Sequence, residues 1–169
     1  YKDSNGFSKS TATNDGTITV NNAYSTGISG KGGAITNNKD IILNKTDSVG
    51  IASTDGNVLN SLTTGKIEVK ESSSVGIFAK LTENATSSQT ITNEGLITLN
   101  GGSTKTSSVG IYSLIENKAV QAGKTQTIKN TGTIGVGTKS SAGIYVKDNR
   151  TTSTNLVSLV RNEGTINVT

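Results

Sequence analysis

The chain has 169 residues, a formal net charge of +4 and no Cys, His, Pro, Met or Trp. Without His and Cys, Ser–His and Cys–His catalysis, disulfides and thiolate metal sites are excluded. We expect no cofactor and no metal. The lysines are scattered rather than clustered with aromatic residues, which argues against nucleic-acid binding. The missing initiator Met predicts that residues 1–169 are an internal piece of a longer protein.

Two short phrases alternate along the chain and predict its elements. One is Ser-x-Gly followed by Ile or Phe, and the other is Asn-x-Gly followed by an apolar strand. Their spacing of tens of residues is typical of a solenoid. In chain order the copies are SNGF (4–7), NDGTITV (14–20), STGI (25–28), NNKDIIL (37–43), SVGI (48–51), TTGKIEV (63–69), SVGI (74–77), NEGLITL (93–99), SVGI (108–111), NTGTIGV (130–136), SAGI (141–144) and NEGTINV (162–168).

Alternation within the phrases predicts where each side chain points, because strand side chains alternate between the two faces with a period of two. In NEGLITL, Ile97 and Leu99 share a face that we predict to be inward. In SVGIFA (74–79), alternate residues starting from Val75 are predicted to face inward and Gly76 to face outward. The aliphatic residues of both phrases therefore form the predicted core, and the glycine of the first phrase is predicted to lie outside it.

A third, weaker strand precedes the asparagine of the second phrase, where an apolar residue stands two positions before it. Three short strands in a repeat of this length indicate a parallel β-helix, in which each strand pairs with its equivalent one coil away. We predict an all-β fold: one right-handed parallel β-helix solenoid over residues 1–169, with about six coils and three short strands per coil. The right hand follows from the preference of parallel strands for right-handed crossovers. The apolar residues are Ile35, Ile91, Ile128 and Val160.

The Asn-x-Gly corner has two structural interpretations. Glycine reaches positive φ without a Cβ clash, and Asn forms local hydrogen bonds in turns, so the phrase can be a simple turn signal. Alternatively, asparagines at equivalent corners form an amide ladder, in which each side chain bonds the one above it. The pattern is interrupted by Lys39 in place of the glycine and by Thr63 in place of the asparagine. The ladder would contain Asn14, Asn37, Asn93, Asn130 and Asn162.

NxGxIxV followed about ten residues later by SxGIYA, as at residues 93–113 and 130–146, resembles the passenger repeats of autotransporter adhesins, specifically the very large fusobacterial type. The likeness covers essentially the whole chain. It implies type V secretion, an N-terminal export signal and a C-terminal β-barrel that anchors the parent in the outer membrane, with this segment outside the membrane. It also implies a cell-surface location, a role in cell adhesion and virulence, and a partner that is a host or bacterial surface receptor, either protein or glycan.

Three aromatic residues are candidate binding residues. Phe78, Tyr112 and Tyr145 take the same outward position in successive copies, where Ser29 and Ala52 stand earlier in the chain. In the predicted register they form an exposed stack, and exposed apolar patches mark contact sites. The other interpretation is that the stack only stabilises the face of the sheet.

The connections that follow the Ser-x-Gly-Ile strands are the second candidate. Residues 81–89, 114–126 and 147–155 are longer than the earlier connections and should emerge on one side of the solenoid. Loops held on a rigid scaffold are common recognition sites. A short helix is expected to begin at Leu114. The candidate contacts within the second connection are Leu114, Glu116 and Lys118.

These features favour a binding or stalk function over catalysis, and we predict an extracellular adhesin segment rather than an enzyme. The alternative is a carbohydrate-active β-helix enzyme or a phage-tail-like module. An outward groove with two carboxylates within reach of each other would favour the enzyme. The following carboxylates show no repeated or clustered spacing: Asp47, Asp55, Glu68, Glu71, Glu83, Glu94, Glu116, Asp148 and Glu163.

Overall fold

The structure is a computed structural model that describes residues 11–116, 124–149 and 158–169. All regular secondary structure within these ranges is β-strand, and there are seventeen strands. In chain order they are β1 (Thr11–Asn14), β2 (Ile18–Val20), β3 (Thr26–Lys31), β4 (Ala34–Asn37), β5 (Asp40–Leu43), β6 (Val49–Thr54), β7 (Val58–Asn60), β8 (Lys66–Val69), β9 (Val75–Leu81), β10 (Gln89–Asn93), β11 (Leu96–Leu99), β12 (Val109–Ile115), β13 (Gln126–Asn130), β14 (Thr133–Val136), β15 (Ala142–Asp148), β16 (Ser158–Asn162) and β17 (Thr165–Val168).

Each strand pairs in parallel with the strand three places along the chain, and the result is three sheets. The first sheet stacks β1, β4, β7, β10, β13 and β16, and the second stacks β2, β5, β8, β11, β14 and β17. The third sheet stacks β3, β6, β9, β12 and β15. One circuit through the sheets is a coil, and we number the coils 1 to 6 along the chain. The described residues therefore form a parallel β-helix solenoid with three strands per coil, as the sequence predicted.

The core is a stack of aliphatic side chains held in register from coil to coil. Ile67, Ile97 and Ile134 pair with one another along the second sheet and are fully buried. Val136 is 2 % exposed in coil 5, whereas Val168, its register partner in coil 6, is 74 % exposed. Burial therefore depends on having a coil on either side, as in other solenoids. The residues of the weaker predicted strand are also buried in coils 2, 4 and 5, at Ile35, Ile91 and Ile128.

The glycine of Ser-x-Gly-Ile faces the core, so the prediction that it faces outward is wrong. Gly76 is buried, and a Cβ on it would lie 2.7 Å from the Gly110 carbonyl oxygen and 3.2 Å from a methyl of Ile97. Val75, predicted to face inward, is only partly buried and lies outside the core cluster. The side-chain alternation breaks because β9 starts directly after a corner, where Ser73 has a φ of 56°. Similar contacts of 2.6 to 2.8 Å to the next coil's carbonyl recur at Gly27, Gly50 and Gly110.

The asparagines of the corner between the first and second sheets form the amide ladder. Each Nδ2 donates a hydrogen bond to the Oδ1 of the asparagine one coil further on, at 2.7 or 2.8 Å. The ladder interpretation is therefore confirmed. Asn60 supplies the rung of coil 3, not Thr63, because residues 62–64 are inserted before Gly65. The complete ladder is Asn14, Asn37, Asn60, Asn93, Asn130 and Asn162.

The glycine of the same corner is required by stacking rather than by its φ. A Cβ on Gly95 would lie 2.1 Å from the carbonyl oxygen of Gly65, and Gly132 and Gly164 show the same contact with the coil before them. Their φ values are not positive, so the predicted positive-φ role is wrong. The backbones of successive coils approach too closely here for any side chain to fit.

The serine of Ser-x-Gly-Ile forms a second polar ladder, which the sequence analysis did not predict. The Oγ of Ser74 accepts a hydrogen bond from the backbone N–H of Ser48 at 3.2 Å, and its hydroxyl donates to the carbonyl of Lys45 at 3.1 Å. Ser48, Ser74 and Ser108 are fully buried. The residue before each serine has a left-handed φ between 51° and 62°, at Tyr24, Asp47, Ser73, Ser107 and Ser140.

Candidate functional site

The outward face of the third sheet carries a column of aromatic rings in coils 3 to 5. Tyr112 pairs in register with Phe78 on one side and with Tyr145 on the other, which confirms the shared outward position predicted from the sequence. The ring centroids are 5.4 and 5.1 Å apart, and both pairs have interplanar angles of 81°. This edge-to-face packing is favoured by the ring quadrupoles. Phe78 and Tyr112 are partly buried and Tyr145 is 47 % exposed, so the aromatic column both stabilises the sheet and presents ring surface to solvent.

A second outward column lies beside the aromatic column, two residues further along each strand. It consists of Lys80, Leu114 and Lys147, which are register partners. Lys80 forms an ion pair with Glu116, the residue after β12. The candidate contacts Leu114 and Glu116 therefore lie close to the aromatic column. Leu114 belongs to β12 and not to the short helix that was predicted, and Lys118 lies outside the described residues.

The three long connections leave from one edge of the third sheet, as predicted, because they follow the neighbouring strands β9, β12 and β15. The first connection, after Leu81, is described throughout. The other two are described only in part, since residues 117–123 and 150–157 lie outside the described ranges. The connections form the corner between the third and first sheets, which is the only corner without a repeated Asn or Ser ladder along the described chain.

The first connection is packed onto the solenoid. Leu81 and Ala85 bury themselves against Ile115 of the next coil in a small apolar cluster of their own. Thr82 donates its backbone N–H and its hydroxyl to the two carboxylate oxygens of Asp55, at 2.7 and 2.6 Å. Asp55 is itself buried and has a φ of 56°. This connection is therefore held by neighbours in the coils before and after it.

A buried polar chain lies under the same corner. The Ser113 hydroxyl donates to Gln126 Oε1, Gln126 Nε2 donates to Gln89 Oε1 at 2.6 Å, and Gln89 Nε2 donates to the Gly56 carbonyl at 2.8 Å. Both glutamines and the serine are fully buried. Since buried polar groups need partners, this chain fixes where β10 and β13 begin below the connections.

Glu68 is the charged centre of the outward face of the second sheet. Partial burial raises the pKa of Glu68, but a hydrogen bond from Asn100 at 3.1 Å and the charges of Lys66 and Lys70 outweigh it, so the pKa lies below its usual value. The two lysine Nζ atoms lie 3.5 and 4.0 Å from its carboxylate. A carboxylate held ionised in this way is poorly suited to act as a general acid.

Two other carboxylates share a groove, and a groove with two carboxylates within reach of each other would favour an enzyme. Asp40 and Glu94 both line a groove of about 580 Å³ on the corner between the first and second sheets. They belong to coils 2 and 4, so two strand spacings, about 9.6 Å, separate them along the axis. Sequence spacing did not single out Asp40. Among the described residues there is no group of three or more His, Cys, Asp or Glu side chains placed to hold a metal ion.

No family model, curated protein or solved structure matches this chain. None of the described residues forms a helix long and apolar enough to cross a membrane.

The groove was not predicted from the sequence, because the Asn-x-Gly corner of coil 3 was assigned to Thr63 instead of Asn60. A signal was present: Asn14, Asn37 and Asn60 are each 23 residues apart. That spacing identifies residues 62–64 as an insertion.

Proposed function

We propose that this chain is a passenger segment of an autotransporter adhesin, located at the cell surface. In this proposal the β-helix is the stalk, and the third-sheet face with its connections contacts a host or bacterial surface receptor, protein or glycan. The parent chain is anchored in the outer membrane by a C-terminal β-barrel, as the resemblance of the repeats implies. The segment is not an enzyme.

One observation carries the proposal: the repeated polar residues and glycines are used in stacking the coils. The asparagines and serines form ladders, and the glycines allow the coils to approach. The outward residues of the third sheet, by contrast, change from Ser29 and Ala52 in coils 1 and 2 to Phe78, Tyr112 and Tyr145 in coils 3 to 5. A uniform scaffold with one differentiated face is the form expected of a solenoid that presents a binding surface.

A cell-binding assay tests the proposal. Beads coated with the purified chain are incubated with epithelial cells and with bacterial cells, and the bound cells are counted. The double variant Tyr145→Ser and Leu114→Ser should bind about tenfold fewer cells or less, because exposed aromatic anchors dominate binding energy. The matched control is Tyr24→Ser, which removes a tyrosine that is 83 % exposed on another corner. Equal binding by the double variant and the control would refute the contact role, and no binding by the unmodified chain would refute adhesion by this segment.

A second candidate is a carbohydrate-active enzyme, and the shared groove of Asp40 and Glu94 is the observation that favours it. Inverting glycosidases hold their two carboxyl groups about 6.5–9.5 Å apart. Here the backbones that carry the two carboxylates are two coils apart, about 9.6 Å along the axis, which is at the upper end of that range. The adhesin is therefore preferred. Release of reducing sugar from a polysaccharide, lost in Asp40→Asn and Glu94→Gln, would reverse that preference.

A further inference from the structure

Part of the groove on the corner between the first and second sheets is lined by residues through which coil 3 departs from the repeat. In coils 4 to 6 the ladder asparagine and the stacking glycine are two residues apart, as in Asn93 and Gly95. In coil 3 Asn60 and Gly65 are five residues apart, and the three extra residues 62–64 project from the corner. Leu62 at the tip is 67 % exposed. The three inserted residues line the groove together with residues of the coils on either side of them.

The rest of the groove is built from register-matched positions. Along one side run the first outward residues of the second-sheet strands, Lys66, Leu96 and Thr133, paired in register. Along the other side stand Glu94 and Thr131, each directly after a ladder asparagine. Between them runs the column of glycines, which carries no side chains because none fits between the coils. The groove reaches from coil 2 to coil 6, so it lies parallel to the solenoid axis.

The lining supplies three kinds of contact. Hydroxyls come from threonines on both sides and from the insertion. Asp40 and Glu94 are partly buried residues of the groove lining, and among the described residues neither carboxylate has a side-chain hydrogen bond or ion pair that would occupy its oxygens. The charge of Lys66 is engaged by Glu68 at 3.5 Å. Apolar surface comes from Leu62 and Leu96. The threonines that line the groove are Thr63, Thr64, Thr131, Thr133 and Thr165.

We propose that this groove binds a short, neutral oligosaccharide. Carboxylate oxygens accept hydrogen bonds from sugar hydroxyls, whereas threonine hydroxyls both accept and donate them, and the charge-assisted bonds to the carboxylates are the stronger ones. The two leucines contact the apolar face of a sugar ring. Two open carboxylates repel an acidic glycan, which sets the charge preference. The volume of about 580 Å³ falls within the range of small-ligand sites.

The site is separate from the third-sheet face, so it goes beyond the proposed function. It also differs from the enzyme candidate, because it requires binding without bond cleavage. An extended peptide is the main competitor for the same groove. A peptide that binds by strand addition would need unpaired backbone groups along a strand edge, whereas the strands beside the groove are paired on both sides in coils 2 to 5.

Deletion of residues 62–64 is the sharpest test. It leaves Asn60-Ser61-Gly65, an Asn-x-Gly corner with the spacing of coils 4 to 6, so the coil keeps its rung and its stacking glycine. The full chain is first screened against an array of neutral and acidic oligosaccharides, and the best binder is measured by calorimetry. We expect the deletion to weaken binding at least tenfold, and Asp40→Asn with Glu94→Gln to do the same. Asp47→Asn, which changes an exposed carboxylate outside the groove, should leave the affinity unchanged.

Each outcome decides the proposal. Binding of a neutral oligosaccharide that is lost in both groove variants supports it. No binding to any neutral oligosaccharide, binding only to acidic glycans, or full affinity in the deletion variant overturns it. Release of shortened sugar from the bound oligosaccharide also overturns it, in favour of hydrolysis at the same groove. Because cells are not involved, these results are independent of the adhesion assay and of the third-sheet variants.

Discussion

Replacing Asn93 by alanine tests how much the amide ladder contributes to the stability of the solenoid. Asn93 accepts a hydrogen bond from Asn60 Nδ2 and donates one to Asn130 Oδ1, both at 2.7 Å and both buried. The substitution removes both bonds. It leaves Asn130 Oδ1 without its donor, while Asn60 Nδ2 keeps the Gly65 carbonyl at 3.2 Å. A buried polar group left without a partner costs about 1–3 kcal/mol. Asn130 Oδ1 loses its partner completely and Asn60 Nδ2 loses one of two, so we expect the free energy of unfolding to fall by about 2–4 kcal/mol.

The measurement must be local, because each coil contacts only its neighbours and unfolding need not be all-or-none. Urea unfolding followed by circular dichroism gives the overall change, and amide hydrogen exchange gives the change in coils 3 to 5. The matched control is Asn44→Ala, since Asn44 donates to Asn21 at 2.9 Å in an exposed pair on another corner. That control should change stability by about 0.5 kcal/mol or less. If Asn93→Ala cost no more than the control, the ladder would be a consequence of the fold and not a source of its stability.

Two further predictions follow from the glycine column and the charged face. Gly110→Ala should lower the free energy of unfolding by about 1–3 kcal/mol, because the new Cβ would lie 2.6 Å from the Gly143 carbonyl oxygen. The control is Gly135→Ala, whose Cβ would lie 3.7 Å from a methyl of Thr98. In urea unfolding it should change the free energy by about 0.5 kcal/mol or less. The pKa of Glu68 is lowered from its ordinary value of 4.5, so ionised Glu68 stabilises the fold at any pH above 4.5. This contribution is lost as the pH falls through the lowered pKa. Glu68→Gln should therefore be less stable than the unmodified chain at pH 7, and the difference should shrink below pH 4. A constant difference would contradict the assignment.

The coil architecture could be predicted from the sequence because its signals are periodic and redundant. Ile67, Ile97 and Ile134 each repeat the same local pattern, and the repetition itself indicates like-on-like stacking. The aromatic column was predictable for the same reason, since Tyr112 and Tyr145 follow the same phrase at the same offset. Strand alternation gave the correct face wherever the strand was regular.

The failures occurred at corners, where alternation does not apply. Gly76 and Ile77 are both buried, in a strand that begins two residues after Ser73, whose backbone is left-handed. A rule of period two does not predict two consecutive inward residues. The role of Gly95 was misassigned because its constraint comes from the coil before it, 30 residues away at Gly65, and not from its own φ. The serine ladder was missed because its hydrogen bonds join a side chain to backbone groups of another coil. Such contacts become visible only when the coils are stacked.

The insertion in coil 3 shows how this fold can acquire a binding site without a change in its core. Asn60 keeps its place in the ladder and Gly65 keeps its place in the glycine column, so residues 62–64 disturb neither neighbour. Lengthening a loop by a few residues costs a fraction of a kcal/mol in closure entropy, since the cost grows only with the logarithm of length. The same reasoning applies to the long connections after the third sheet. Variation at a corner is therefore energetically cheap in this chain, while variation at a stacked position is expensive, and that difference is the physical reason to look for function at the corners.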